Sequence, residues 1–199
     1  AHQVLTRNLL DTGMASLDKL RIDSTVVASN IAPPSDSQLL NDGVRVISRL
    51  LAKSKAATGL KVRFTDKRKA AKSLAFRIFN AKKSIKDERY PELLKIARWV
   101  VRQANRGHQQ VVDGAEASAA TRKWLEALAH YKGLTEQVIE QTERRVIRGE
   151  RVPSGDKIVS LFEPHTDIIV KGFRDVQYGH KINLSSEVRG FITALTIEE

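Results

Sequence analysis

The stretch KLRIDSTVVASNIAPPSDS, Lys19 to Ser37, decides how the chain is organised. Leu20, Ile22, Val26 and Val27 gather aliphatic and β-branched side chains around one acid, Asp23, and Pro33 and Pro34 then stop any helix or central strand from running on. The reading is a strand followed by a proline turn. In a strand Asp23 shares its face with Arg21 and Thr25, while Ile22, Ser24 and Val26 take the other. A carboxylate in that position faces either solvent or a ligand. Spacing leaves both readings open: an exposed acid on an edge strand paired with Arg21, or an oxygen donor to a bound group.

Upstream of this stretch, Val4, Leu5, Leu9, Leu10, Met14 and Leu17 recur at helical spacing, with Gly13 weakening the pattern. Downstream, Leu39, Leu40, Val44, Ile47, Leu50 and Leu51 predict a helix over 37–53 after a Ser/Asp cap. A second amphipathic helix is expected over 66–86, its apolar stripe formed by Ala71, Leu74, Ala75, Ile78 and Ile85. Pro91 suits the first turn of a third helix that Gly107 closes. A long helical stretch follows over 116–148, which Gly133 is expected to divide. After Gly149 the chain turns to Ile, Val, Phe and Thr punctuated by Pro and Gly, the pattern of three or four short strands with the last two joined around Glu187–Gly190.

One strand before the helices and several after them belong together if all enter one sheet. The expected fold class is therefore α/β, a mixed sheet with a large all-helical insertion after its first strand. Residues 1–36 carry the leading helix and first strand, 37–149 the basic helical insertion, and 150–199 the remaining strands.

The chain has 199 residues and a formal charge of +11, from 34 Lys and Arg against 23 Asp and Glu. Most of the excess lies between Lys53 and Arg89, where thirteen basic residues face only Asp66, Asp87 and Glu88. Charge spread for solubility would not concentrate this way, so a phosphate-contacting surface is expected, made by Lys53, Lys55, Lys61, Arg63, Lys67, Arg68, Lys69, Lys72, Arg77, Lys82 and Lys83. The absence of cysteine removes disulfides, thiolate metal sites and thiol nucleophiles together. The longest stretch free of charged residues, Ser24 to Ser35, is too short to cross a bilayer, and the first residues have no apolar core of the signal-peptide kind. A cytoplasmic protein whose first candidate partner is a polyanion is expected.

Other residues suggest less. His165 and Asp167 follow Pro164 and read as turn residues, with Glu163 a solvated acid beside them. Trp99, Trp124, Phe64, Phe76 and Phe79 sit at helical spacing and read as core. Tyr178 and Lys181 suit either a structural role or phosphate contact. Ser24, Ser154 and Ser185 have no His and acid nearby in the sequence, and no glycine-rich phosphate loop occurs.

Two blocks, KLRIDSTVVASNIAPPSDSQLLNDGVRVISRLL from Lys19 and SLFEPHTDIIVKGFRDVQYGHKINLS from Ser160, together resemble the DDE transposases of bacterial insertion sequences, whose catalytic domain is RNase H-like. The acid-Ser-Thr-Val-Val strand, the Pro-Ser-Asp-Ser turn and the Leu-Leu-x-Asp-Gly-Val-Arg helix look like the family's first catalytic strand and its sequel. Tyr178-Gly179-His180-Lys181 looks like entry into the second strand. The resemblance implies that Asp23 is a catalytic residue and a ligand of Mg²⁺ or Mn²⁺, the first of three acids, with the second Asp and the Glu expected after Glu199. It further implies a bacterial cytoplasmic protein, nucleoid-associated when bound to DNA. That protein would be a fragment of a homodimeric DNA transposase whose parent cleaves and joins strands, the fragment itself being inactive. The family's N-terminal helix-turn-helix is not visible. The alternative is a non-catalytic nucleic-acid-binding helical protein, and a third reading is a helical module whose basic face meets an acidic protein.

Overall fold

A computed structural model describes residues 2–170 and 175–197, without the side chains of residue 2 and of 83–87. The chain is mixed α/β and divides into two compact units, Ala1–Ile31 with Thr166–Glu199, and Ala32–His165.

The first unit is a small sheet with one helix. Helix α1 (His2–Asp11) precedes β1 (Leu20–Ala28), and the strands β2 (Asp167–Ile169), β3 (Gln177–Glu187) and β4 (Ile192–Ile197) follow much later in the chain. β3 is the spine. It pairs with β1 along one edge and with both β2 and β4 along the other, and all three pairings are antiparallel. The mixed sheet expected from sequence is thus corrected to an antiparallel one among the described residues. The short links β2–β3 and β3–β4 permit only antiparallel pairing, since a parallel pair needs a long crossover. The β3–β4 turn forms at the expected place, with Gly190 at φ 89° and its N–H donating to the Glu187 carbonyl.

The register aligns Asp23 with Leu184, Val27 with His180 and Ala28 with Gly179. A Cβ on Gly179 would run into the backbone of Val27 and Ala28, so the glycine of the second block is what lets β3 lie this close to the first. Thr166 Oγ1 donates to Ser29 Oγ at 3.0 Å, and Ser29 N–H to the Tyr178 carbonyl at 2.9 Å, fastening the end of β1.

The second unit is helical: α2 (Asp36–Ala52), α3 (Ser54–Thr58), α4 (Arg68–Asn80), α5 (Lys83–Gly114) and α6 (Ala119–Thr142), with a π-helical turn at Glu143–Ile147. Ser35 caps α2 by accepting from Gln38 N–H, and Ser118 caps α6 by accepting from Thr121 N–H. Leu39, Leu40, Val44, Ile47 and Leu51 of α2 meet Ala71, Leu74 and Ile78 of α4, Leu93, Ala97, Val100 and Ala104 of α5, and Trp124, Leu128 and Val138 of α6 in one core. α2 packs tightly against α6 at Gly43, where a Cβ would overlap the Thr135 side chain.

Several expectations change. α4 ends at Asn80 instead of running on to 86, and the side chain of Ile85, expected on its stripe, lies outside the described residues. α5 runs through Pro91 instead of starting there, because Tyr90, Leu93, Leu94 and Ala97 are buried on both sides and outweigh the lost backbone bond. Nor does Gly107 close it: the helix continues to Gly114, with Val111 buried, and Gly107 is where it passes close to Leu51 and Val62. α6 is unbroken at Gly133, whose neighbours Leu134 and Thr135 are buried. Residues 150–165 contain no strand. Val152, Ile158, Val159 and Leu161 are buried, and Ile158 N–H is satisfied by the Gln141 side chain at 2.8 Å instead of by a sheet partner.

Candidate nucleic-acid interface

Asp23 lies near the middle of β1 with an exposed side chain, and its Oδ1 accepts from the N–H of Ser24 at 2.8 Å. By register its face also carries Arg21, Thr25, Val27, Ile182 and Leu184. Hard divalent cations favour several oxygen ligands, and no group of three or more metal-ligating side chains forms among the described residues. The residues described here do not by themselves make a site for Mg²⁺.

The basic residues divide by position. Lys53 ends α2, Lys55 lies in α3, Lys61 and Arg63 in the following loop, and Arg77 and Lys82 toward and beyond the end of α4. All six are exposed. The side chain of Lys83 lies outside the described residues. Lys67 is exposed with its Nζ 5.9 Å from the centre of the Trp99 ring, a cation–π arrangement. Arg68 is half-buried and grips Asp66 through Nε and Nη2, the latter at 2.6 Å. That hydrogen bonding holds the Asp66 carboxyl below the usual carboxylate range and raises the Arg68 guanidinium.

Arg68, Lys69 and Lys72 come together on one wall of a groove of about 880 Å³ between α2 and α4. Along α4 the wall continues through Phe76 and Phe79. Lys69, Lys72, Phe76 and Phe79 follow one another at intervals of three and four, while Ala71, Leu74 and Ile78 turn into the core. The opposite wall is the polar stripe of α2: Gln38, Asn41, Asp42, Arg45 and Arg49. Arg45 Nη2 lies 2.7 Å from Asp42 Oδ1, and its guanidinium lies 5.6 Å from the centre of the Phe162 ring. Arg49, Lys69 and Lys72 make no salt bridge among the described residues. Five basic side chains against two acids leave the groove cationic.

Sequence reasoning missed half of this site. Arg45 and Arg49 lie before the basic run, and their signal was the polar repeat 38, 41, 45, 49 running opposite the apolar face of α2. Phe76 and Phe79, expected in the core, are 70% and 68% exposed. Phe64 does pack against the core, and Trp124 is buried there with Nε1–H donating to the Leu50 carbonyl at 2.9 Å.

The Pro-Ser-Asp-Ser turn has a structural use. Asp36 is buried at the start of α2, accepting from Gln141 Nε2 at 2.8 Å and pairing with Arg145 Nη1 at 2.9 Å. Burial, and then the Asp36 charge, push the neighbouring Tyr90 hydroxyl above its ordinary value. At the second block, Asp167 Oδ2 lies 3.8 Å from His180 Nδ1, and Ser160 Oγ accepts from the N–H groups of Phe162 and Glu163, closing the turn that contains Glu163. No family model, curated protein or solved structure matches the chain.

Proposed function

We propose that the chain is a fragment of a DNA transposase, with β1, β3 and β4 opening an RNase H-like sheet and the helical unit inserted after β1. One observation carries the reading. The two blocks that resemble the DDE family lie far apart in sequence, yet β1 of the first pairs residue for residue with β3 of the second, and Gly179 of Tyr-Gly-His-Lys fits against Val27 and Ala28. On this reading Asp23 supplies one of three metal-binding carboxylates, and the other two belong to the segment that the resemblance assigns after Glu199. The parent's activity is metal-dependent cleavage and transfer of DNA strands. The helical unit contributes phosphate contacts through its cationic groove.

The test of the chemistry is strand cleavage by the protein read past the codon for Glu199, with Mg²⁺ and DNA carrying the element's ends. Cleavage lost in Asp23→Asn with DNA binding intact supports the assignment; cleavage unchanged in Asp23→Asn sinks it. The DNA contact is tested on the present chain by salt titration. Each phosphate contact removed lowers the slope of log affinity against log salt by about 0.9 for duplex DNA. Lys69→Ala and Lys72→Ala are expected to lower it more than Arg68→Ala, since Arg68 is already engaged by Asp66. A slope unchanged by all three refutes the groove as a DNA contact.

A further inference from the structure

We infer that the groove between α2 and α4 holds unpaired bases of a DNA end, with Phe76 and Phe79 as stacking platforms and Lys69, Lys72 and Arg49 as the phosphate contacts. The inference rests on the DNA-binding reading above and makes it more specific. Three features converge on it.

First, the two rings stand one helical turn apart on the stripe that carries the lysines, and both remain largely in water although the buried stripe of α4 lies beside them. Second, the groove's volume lies in the range of about 300–1,000 Å³ found for sites that enclose small molecules, so it has room for a nucleotide. Third, cations stand on both walls, Arg49 on α2 and the two lysines on α4. An isolated basic helix face would bind an intact duplex through its phosphates alone. Base faces in a duplex are hidden in the stack, so exposed phenyl rings gain a partner only where bases are unstacked. The combination of rings and cations therefore selects single-stranded segments over uniform duplex.

The experiment compares three labelled DNAs by fluorescence anisotropy: a blunt duplex, the same duplex with a short single-stranded overhang, and the same overhang made abasic. The abasic strand keeps the phosphates and removes the bases. Expected is binding to the natural overhang about tenfold tighter than to the abasic one. Phe76→Ala with Phe79→Ala should abolish that preference. Because both rings are exposed, this variant should keep its far-UV spectrum and melting temperature. Phe76→Trp with Phe79→Trp should restore the preference.

Equal affinity for natural and abasic overhangs overturns the inference, as does a preference that survives loss of both rings. If blunt duplex is still bound with a clear salt dependence in those cases, the DNA-binding reading stands and only the stacking site falls. Binding to none of the three DNAs overturns both. Self-association that disappears in the double alanine variant, with no preference between overhangs, assigns the rings to a protein contact and overturns the inference as well.

Discussion

Leu40, Val44 and Ile47 of the helical unit have no accessible surface, whereas in the sheet Ile22 keeps 73% of its surface and Ile197 58%. The two units differ in what closes them. Five helices can turn their apolar stripes toward one another, and here they bury Trp124, Leu128 and the aliphatic residues of α2 in a single core. A four-stranded sheet has two faces, and one ten-residue helix covers little of either. By register Val27, Ile182, Leu184, Leu195 and Ile197 share a face with Asp23, which stands at the border of an apolar surface. On this contrast the helical unit should carry its own stability, while the sheet should depend mainly on its strand pairings.

The largest test of that contrast is a pair of truncations. Ile47→Ala is expected to cost about 2–5 kcal/mol, whereas Ile22→Ala should stay within about 0.5 kcal/mol, both measured by urea denaturation followed by circular dichroism. Equal losses would break the comparison. The next concerns alkaline pH. Tyr90 lies in the helical core with its hydroxyl raised above the ordinary value, so its stabilising contribution is fully present below the unfolded pKa of about 10 and is lost as pH rises through the folded value. Helical stability is expected to fall above about pH 10 in the wild type and less steeply in Tyr90→Phe. A parallel decline in both proteins would assign the alkaline loss to other groups. The smallest effect is a gain. Nothing lies within 4 Å of a Cβ built on Gly133, so Gly133→Ala should stabilise the helical unit by about 0.5–1 kcal/mol. A loss measured by the same denaturation would mean that α6 needs the glycine.

Local chemistry explains which parts were legible in the sequence. The β-branched run before two prolines specifies β1, and the Ser35 cap with its apolar repeat specifies α2, because each signal lies within a few residues of the element it makes. Pro91 and Gly133 misled for the opposite reason: their local cost is offset by burial of neighbouring side chains against distant helices. Residues 150–165 have strand-like composition, but Ile158 and Leu161 are used by the helical core. The basic run pointed to Arg68, Lys69 and Lys72, yet Arg45 and Arg49 join them only when α2 and α4 pack together. Phe76 and Phe79 have the spacing of core residues and differ from Leu74 and Ile78 only in which way the helix turns, which depends on its neighbours. Asp23 was legible as a strand acid, and its proposed role depends on carboxylates that are not among the described residues.

The bond from Thr166 to Ser29 means that the polypeptide leaves the sheet and returns to it at adjacent points. During synthesis β1 emerges first and must wait, unpaired, until the whole of residues 32–165 has been made before β3 appears. Helices form from contacts close in sequence and fold faster than strands joined across a long separation. By folding first, the inserted unit replaces a long floppy loop with a compact body, and the entropy of closing β1 onto β3 falls accordingly. Topology thus favours one order of assembly on the ribosome: helices first, the pairing of β1 with β3 last.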